Sequence, residues 1–344
     1  MTRLQPIPVA LDSLEPVLAE ALSTVVDRVA AHLRSGEPSV DELVDHATRY
    51  HGKLLRPALV LLSGLAAHPR ARETADAGAL LGDEHLTVAA VLEMIHLATL
   101  VHDDVLDDAD VRRGSPTIHR VSGTERAVIL GDYLFARSYH LCSTLDDQRV
   151  ALRVGEISSI VCRGEMLQLT NAGNAELDED TYLRIIDGKT GALIAAACEL
   201  GAHVSGADPE ICHRMLRFGE LVGRAFQIQD DLLDLTGDEQ TVGKSTGRDI
   251  ETGKLTLPLI HYLRSSGHAD PHVDVRDLVH RQVHLNGERV PLLRELERAG
   301  SLDYAHRCAH RLAADAAALL ERLPETPASQ ALAAMADAAV RRTR

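Results

Sequence analysis

The chain has 344 residues, 45% of them hydrophobic and 25% charged, so it holds ample material for a packed core and is not a disordered polypeptide. Its 51 acidic against 36 basic residues give a formal charge of -15, which argues against a general basic surface for nucleic acid; an anionic ligand would need a local cluster of Lys and Arg. The cysteines (Cys142, Cys162, Cys198, Cys212, Cys308) are odd in number and form no CxxC pair, so neither a zinc site nor a disulfide framework is indicated, and a reducing, cytoplasmic compartment is expected.

The N-terminus, MTRLQPIPVALDSLEP, lacks a basic start followed by an apolar run and carries no recognisable address. Beyond it, apolar residues recur three and four apart. That period predicts helices over Leu11–Leu33, Arg56–Ala67, Thr87–Asp107, Arg126–Leu141, Val150–Gln168, Asp180–Leu200 and Ile211–Leu235, and the alanine-rich tail Ala305–Ala339 resumes it. Strand-like alternation is hard to find, which makes the class all-α. The most apolar stretch, Val88 to Val101, is interrupted by Glu93 and His96 and is too short to span a bilayer; a buried helix is expected there, and no membrane span. Glycines and prolines fall mostly between these segments, in GEP (36–38), RRGSP (112–116), NAGN (171–174), SGADP (205–209) and TGDEQTVG (236–243), and mark turns. No Ser/Pro-rich hinge, low-complexity tract or fixed-period repeat lies between Ala10 and Leu320. One domain is therefore expected over 1–344, with its motif-bearing core at about 41–263, and the polar, His-rich segment around 265–300 reads as an excursion.

Two acidic clusters break helix rules. In HDDVLDDAD, Asp103, Asp104 and Asp107 stand at i, i+1 and i+4, which puts Asp103 and Asp107 on one face at the C-terminal end of a helix. Their charges repel, and the helix macrodipole already disfavours negative charge there. The pattern returns in QIQDDLLDLTG at Asp230, Asp231 and Asp234. A single acidic run reads as a solvated helix face; two in apolar helices point to a shared cause, a hard divalent cation held between carboxylates. Magnesium fits best, because it commonly takes one or two carboxylates and completes its octahedron with phosphate oxygens and water.

Basic residues answer them in glycine-bearing contexts: GKLLRP (52–57), RRG (112–114), GKTG (188–191) and GKSTGRDIETGKLT (243–256). Arg grips phosphate with a planar fork, Lys supplies a compact charge, and glycine permits close backbone approach, so these are candidate diphosphate contacts. GKT at 188–190 lacks the GxxxxGK spacing and a preceding strand, so an ATPase reading fails.

The series GKLLRP, IHLATLVHDDVLDDADVRRG, GDYL, GEMLQL, KTG, FQIQDDLLD and GKSTGRDIETGKLTLP, in that order from Gly52 to Ile260, resembles the trans-isoprenyl diphosphate synthases, or polyprenyl synthetases, of the bacterial medium- and long-chain type. The resemblance implies a single large helical bundle around a deep central cavity, usually as a homodimer, with the aspartate motifs facing across the cavity mouth. It implies that Asp103, Asp107 and Asp230 bind magnesium, about three ions per site, with Asp104, Asp231 and Asp234 as further ligands or supports. Arg112, Lys189, Lys244 and Lys254 would grip an allylic diphosphate. Gly52, Lys53, Arg56, His96 and Arg113 would hold isopentenyl diphosphate, and Thr190 and Gln227 would sit near the reacting carbons.

The reaction so implied begins with ionisation of the allylic C–O bond, continues with attack by the double bond of isopentenyl diphosphate, and ends with loss of a proton to the departing diphosphate. Product length is expected to depend on the helix surface before Asp103. Thr99 and Ala98 are small, where short-chain members carry bulky aromatics, so the growing tail should pass them; Met94 and Ile95 guard the next turn. A geranylgeranyl or longer product is expected. A terpene cyclase would not need GKLLRP and Arg113 and usually has an aromatic-lined cavity, whereas this chain is 3% aromatic. A non-catalytic partner subunit would generally have lost an aspartate motif.

Overall fold

Pro16 and Pro38 sit in the first turns of the first two helices, where a missing amide proton leaves no bond unmade. In the computed structural model, residues 14–50, 52–73, 76–236, 248–265 and 290–341 are described. Helices α1 (Glu15–Leu33), α2 (Pro38–Thr48), α3 (Leu55–Ala67) and α4 (Asp83–Leu106) lead to a two-residue hairpin, β1 (Val111–Arg112) with β2 (Ser115–Pro116). There follow α5 (Ile118–Ser122), α6 (Thr124–Cys142), α7 (Gln148–Thr170), α8 (Glu179–Ile186), a π-helical turn at Asp187–Gly191, α9 (Ala192–Val204) and α10 (Pro209–Thr236). Further helices cover Arg248–Glu251, Leu257–Ser265, Val290–Arg298, Ser301–Leu320 and Pro327–Arg341. The class is all-α, as expected.

The chain forms two compact units, each assembled from separated segments: residues 1–159, 193–219 and 319–335 in the first, 160–192, 220–318 and 336–344 in the second. In the first unit, α4 packs on α6, α3 and α1. It is long and apolar enough to cross a membrane, yet most of it is buried, which makes it the core helix of the unit. Close approach to α6 depends on Gly131, where any Cβ would overlap the His102 ring. At its N-terminus, the Gly82 amide donates to His85 Nδ1 (3.1 Å), the ring's Nε2 lies 2.7 Å from Ser205 Oγ, and Ser205 Oγ donates to Gly64 O (2.8 Å). The second unit closes over Tyr182, Ile185 and Ile186 of α8, Ile228 and Leu232 of α10, and Leu257, Ile260, Leu296 and Ala305 from the later helices.

Three differences from the sequence reading have local causes. The segment read as one helix over Asp180–Leu200 is broken by the π turn, where an extra residue is accommodated at Asp187–Gly191. The helical period resumed over Ala305–Ala339 is carried by two helices, the first ending at Leu320, because Pro324 and Pro327 cannot continue it. Helix α2 was hidden by the GEP turn signal, whose Pro38 is the helix's own first residue.

Candidate active site

In the first unit, α4 ends at Leu106 and Asp107 becomes its C-cap, its amide donating to Asp103 O (2.8 Å). Asp103 and Asp107 are therefore successive members of one i, i+4 stripe that also carries Ile95 and Thr99. Both aspartates are half-buried. Asp104, between them in sequence, points elsewhere: it is 1% exposed and accepts from Arg112 Nε at 2.7 Å. Burial raises its carboxyl above the ordinary range, against the pull of Arg112.

Arg112 and Arg113 are delivered by the hairpin. Its two-residue turn needs positive φ at both positions, and Arg113 (φ 50°) and Gly114 (φ 78°) supply them. A left-handed arginine is strained, and such strain collects at functional sites. The Arg113 guanidinium lies over Gly52, where any Cβ would overlap it, and donates to Tyr50 O. Gly52 thus leaves the room that the Arg113 guanidinium occupies, and a side chain there would push that guanidinium aside. Tyr50 is fully buried, its hydroxyl accepts from the Ile118 amide (3.0 Å), and burial beside Asp104 pushes it up to about 12. Leu54, also left-handed (φ 50°), opens α3 just before Arg56. Burial lowers Arg56 to about 10, with Glu93 opposing and Arg113 reinforcing the shift, and Arg56 Nε is buried with no hydrogen-bond partner. Glu93, 4% exposed, is a residue that the sequence reading treated only as an interruption; its charge acts on both Arg56 and Arg113. A lone carboxylate inside an apolar helix, three residues before His96, was the available signal.

Lys53 is exposed and His96 is half-buried. Met94, Ile95 and Ala98 have no solvent exposure, whereas Thr99 is half-buried and returns its hydroxyl to His96 O (2.8 Å).

In the second unit, the π turn presents Lys189 and Thr190. Glycines let it lie against its neighbours: a Cβ on Gly188 would come within 2.7 Å of Gly164 Cα on α7, and one on Gly223 of α10 within 2.7 Å of Gly191 Cα. Asp187 and Arg224 join turn to helix through two charge-assisted bonds of 2.6 Å. One turn further along α10, Thr190 Oγ1 donates to Gln227 Oε1 (2.6 Å), Gln227 Nε2 donates to Asp231 Oδ1 (2.8 Å), and the Tyr182 hydroxyl donates to Asp231 Oδ2 (2.6 Å). Lys189 Nζ lies 2.8 Å from Glu165.

Thr190, Gln227, Asp231, Tyr182, Lys189 and Lys254 line one pocket, together with Gln168, Asp249 and Thr256. Thr256 Oγ1 is buried there with no hydrogen-bond partner. Asp231 is 5% exposed, and burial first, then Asp249, raises its carboxyl far above the ordinary range. Asp230 is exposed, and Asp234 is half-buried and accepts the Asp249 amide (3.2 Å). Lys244 lies outside the described residues. Tyr182, Glu165, Asp187, Arg224 and Asp249 were not singled out from sequence, since their partners are brought together only by helix packing.

Each motif therefore splits the same way. Its first and last aspartates lie four apart and at least partly accessible, while the middle one is buried against Arg112 or Gln227. Among the described residues, no three His, Cys, Asp or Glu side chains converge to hold a metal by themselves. Oxygen donors in pairs suit a hard cation whose remaining positions are filled by a ligand's oxygens and water.

An all-helical fold with paired aspartate motifs and this basic complement defines a transferase of isoprenoid biosynthesis. The polyprenyl synthetase family model matches residues 37–283, and the chain belongs to that family. It is 32% identical over 336 residues to octaprenyl diphosphate synthase of Escherichia coli, covering 97% of this chain and 99% of that one. It is 39% identical over 253 residues to heptaprenyl diphosphate synthase component 2 of Geobacillus stearothermophilus, covering 74% and 76%. Among solved structures, polyprenyl synthase from Caulobacter crescentus, complexed with calcium and isoprenyl diphosphate, superposes with a TM-score of 0.83 at 30% identity, covering 97% of this chain and 98% of that one.

Proposed function

We propose that the enzyme condenses isopentenyl diphosphate with an allylic diphosphate by ionisation, condensation and elimination, releasing diphosphate and an all-trans polyprenyl diphosphate. The observation that carries this reading is the repeated division of labour in the two aspartate motifs. Asp103, Asp107, Asp230 and Asp234, the partly accessible members of each i, i+4 pair, would hold magnesium. Bound magnesium would neutralise the charge that grows on the leaving diphosphate. Arg112 in the first unit, and Lys189 and Lys254 in the second, with Lys244, are the basic side chains assigned to diphosphate, and Asp104 holds the Arg112 guanidinium by its Nε. Thr190 and Gln227 lie against the reacting carbons. Gly52, Lys53, Arg56, His96 and Arg113 hold isopentenyl diphosphate, for which the unpartnered Arg56 Nε and the Gly52–Arg113 packing provide the local chemistry.

The relatives named for heptaprenyl and octaprenyl products favour the long end of the expected range over geranylgeranyl. We assign the enzyme a medium- to long-chain product of that kind. Met94, Ile95, Ala98 and Thr99 are the chain-length determinants in this reading. Exposed Val128 and Ile129 on α6, and Leu152, Met166 and Leu169 on α7, support a homodimer. Five unpaired cysteines suit a cytoplasmic enzyme. The interleaved segments of the two units suit one functional domain over the whole chain.

The test is incorporation of radiolabelled isopentenyl diphosphate with dimethylallyl, geranyl, farnesyl or geranylgeranyl primers, with and without magnesium, the products being resolved by length. Magnesium-dependent linear products beyond geranylgeranyl are expected. Incorporation that stops at farnesyl refutes the chain-length assignment and keeps the enzyme. No incorporation with any primer refutes the reaction for the isolated chain and points to a required second component, as the Geobacillus relative's name describes for that protein.

A further inference from the structure

We propose that Tyr182 is a positioning residue of the reaction: acting through Asp231, it fixes the orientation of the Gln227 amide and hence the Thr190–Gln227 pair that faces the pocket. This rests on the condensation reading above and adds to it a residue outside the aspartate, lysine and glutamine motifs.

One chain of hydrogen bonds runs through the second unit. Tyr182 stands on α8, two turns before Thr190, and is 3% exposed. Its hydroxyl donates to Asp231 Oδ2 at 2.6 Å, and the other carboxylate oxygen accepts from Gln227 Nε2 at 2.8 Å. With its nitrogen so engaged, Gln227 must turn its carbonyl to Thr190 Oγ1, which donates to it at 2.6 Å. A side-chain amide can flip by half a turn at little cost, and only its neighbours decide which way it points. Here the decision is made by Asp231, whose own rotation is stopped by Tyr182.

The same bond also separates the roles of adjacent carboxylates. Asp230 and Asp231 are neighbours on α10, and either could turn toward a cation. The Tyr182 hydroxyl gives Asp231 Oδ2 a donor inside the protein, so Asp231 stays on Gln227 and does not turn toward a cation beside Asp230. Without that donor, one oxygen of a buried carboxylate near Asp249 is left unsatisfied, which such a group does not tolerate. Asp231 would then rotate, release Gln227 and compete for the cation. All four side chains of the chain line the pocket, so the rearrangement would be felt where substrate sits.

The experiment compares the full-length wild type with Tyr182→Phe, Gln227→Ala and the double variant, using the isopentenyl incorporation assay and a magnesium titration. Tyr182→Phe removes a single oxygen and keeps the ring that packs in the core. It is expected to lower kcat at least tenfold, to leave the KM for isopentenyl diphosphate within about twofold, and to shift the magnesium concentration for half-maximal rate. In the Gln227→Ala background, where the relay is already cut, the same substitution should cost less than about twofold more.

A Tyr182→Phe enzyme with wild-type kcat and magnesium dependence overturns the proposal, as does an equal loss in both backgrounds. A variant that fails to fold, judged by a collapsed melting temperature, assigns Tyr182 to the core alone and overturns it as well. An inactive wild type would instead strike the condensation reading itself.

Discussion

A side chain at i+1 lies about 100° round a helix from its neighbour at i, whereas one at i+4 returns to nearly the same direction. That geometry separates Asp103 and Asp107 from Asp104, and Asp230 and Asp234 from Asp231, and gives the members of each motif opposite mutational signatures. Asp103→Ala removes a carboxylate that repels its neighbours, so unfolding free energy should change by no more than about 0.5 kcal/mol while kcat falls about 10²- to 10³-fold. Asp104→Ala strips the partner from Arg112 in a buried site and should cost about 3 kcal/mol of stability as well as activity. Urea unfolding beside steady-state kinetics separates the two. His85 yields a pH prediction. Burial, reinforced by the nearby His68, lowers it to about 4, against an ordinary 6.5. The folded state therefore binds a proton later than the unfolded state does. Its contribution is complete above about pH 6.5 and is lost as pH falls toward 4, about 2 kcal/mol of it by pH 5. The stability difference between pH 7 and pH 5 should shrink by about that amount in His85→Gln, measured by urea unfolding at both pH values.

At the scale of elements, the π turn at Asp187–Gly191 deserves its irregularity. An unbroken α-helix would not bring Lys189 and Thr190 to the pocket in this register, and the extra residue is held by close glycine packing on both sides and by the Asp187–Arg224 fork. Gly188→Ala forces a Cβ against the backbone of α7, where nothing flexible can yield, and should cost about 1–3 kcal/mol. Arg224→Lys keeps the charge but loses the fork and should cost about 1.5 kcal/mol. Both should lower kcat through displacement of Thr190 and Lys189, with thermal melts reporting stability and incorporation assays reporting rate. The expectation of a continuous helix over Asp180–Leu200 failed here because a π turn leaves the apolar period almost intact. The hairpin had a clearer signal, RRG followed by SP, but its role in presenting two arginines depends on the left-handed backbone at Arg113.

For the whole molecule, product length offers the broadest test. A helix rises about 5.4 Å per turn, close to one extended isoprene unit, so a bulky ring one turn before Asp103 should shorten the product by several units. Thr99→Phe, at a half-buried position, is expected to move the longest product down toward farnesyl or geranylgeranyl while keeping primer turnover, as chromatography of the labelled products would show. Much of this was legible in the amino-acid order alone. Helical period is a local property, so the all-α class and most helix positions followed from it, and charged residues clustered against local preference exposed the two aspartate motifs and their basic partners. The division within each motif was not legible, because which aspartate is buried depends on what α4 and α10 pack against. The same holds for Glu93 beneath Arg56 and Arg113, the Gly52–Arg113 overlap and the Tyr182–Asp231–Gln227–Thr190 chain. These join residues tens of positions apart, and only tertiary packing, which brings distant backbones within hydrogen-bond reach, decides such pairings.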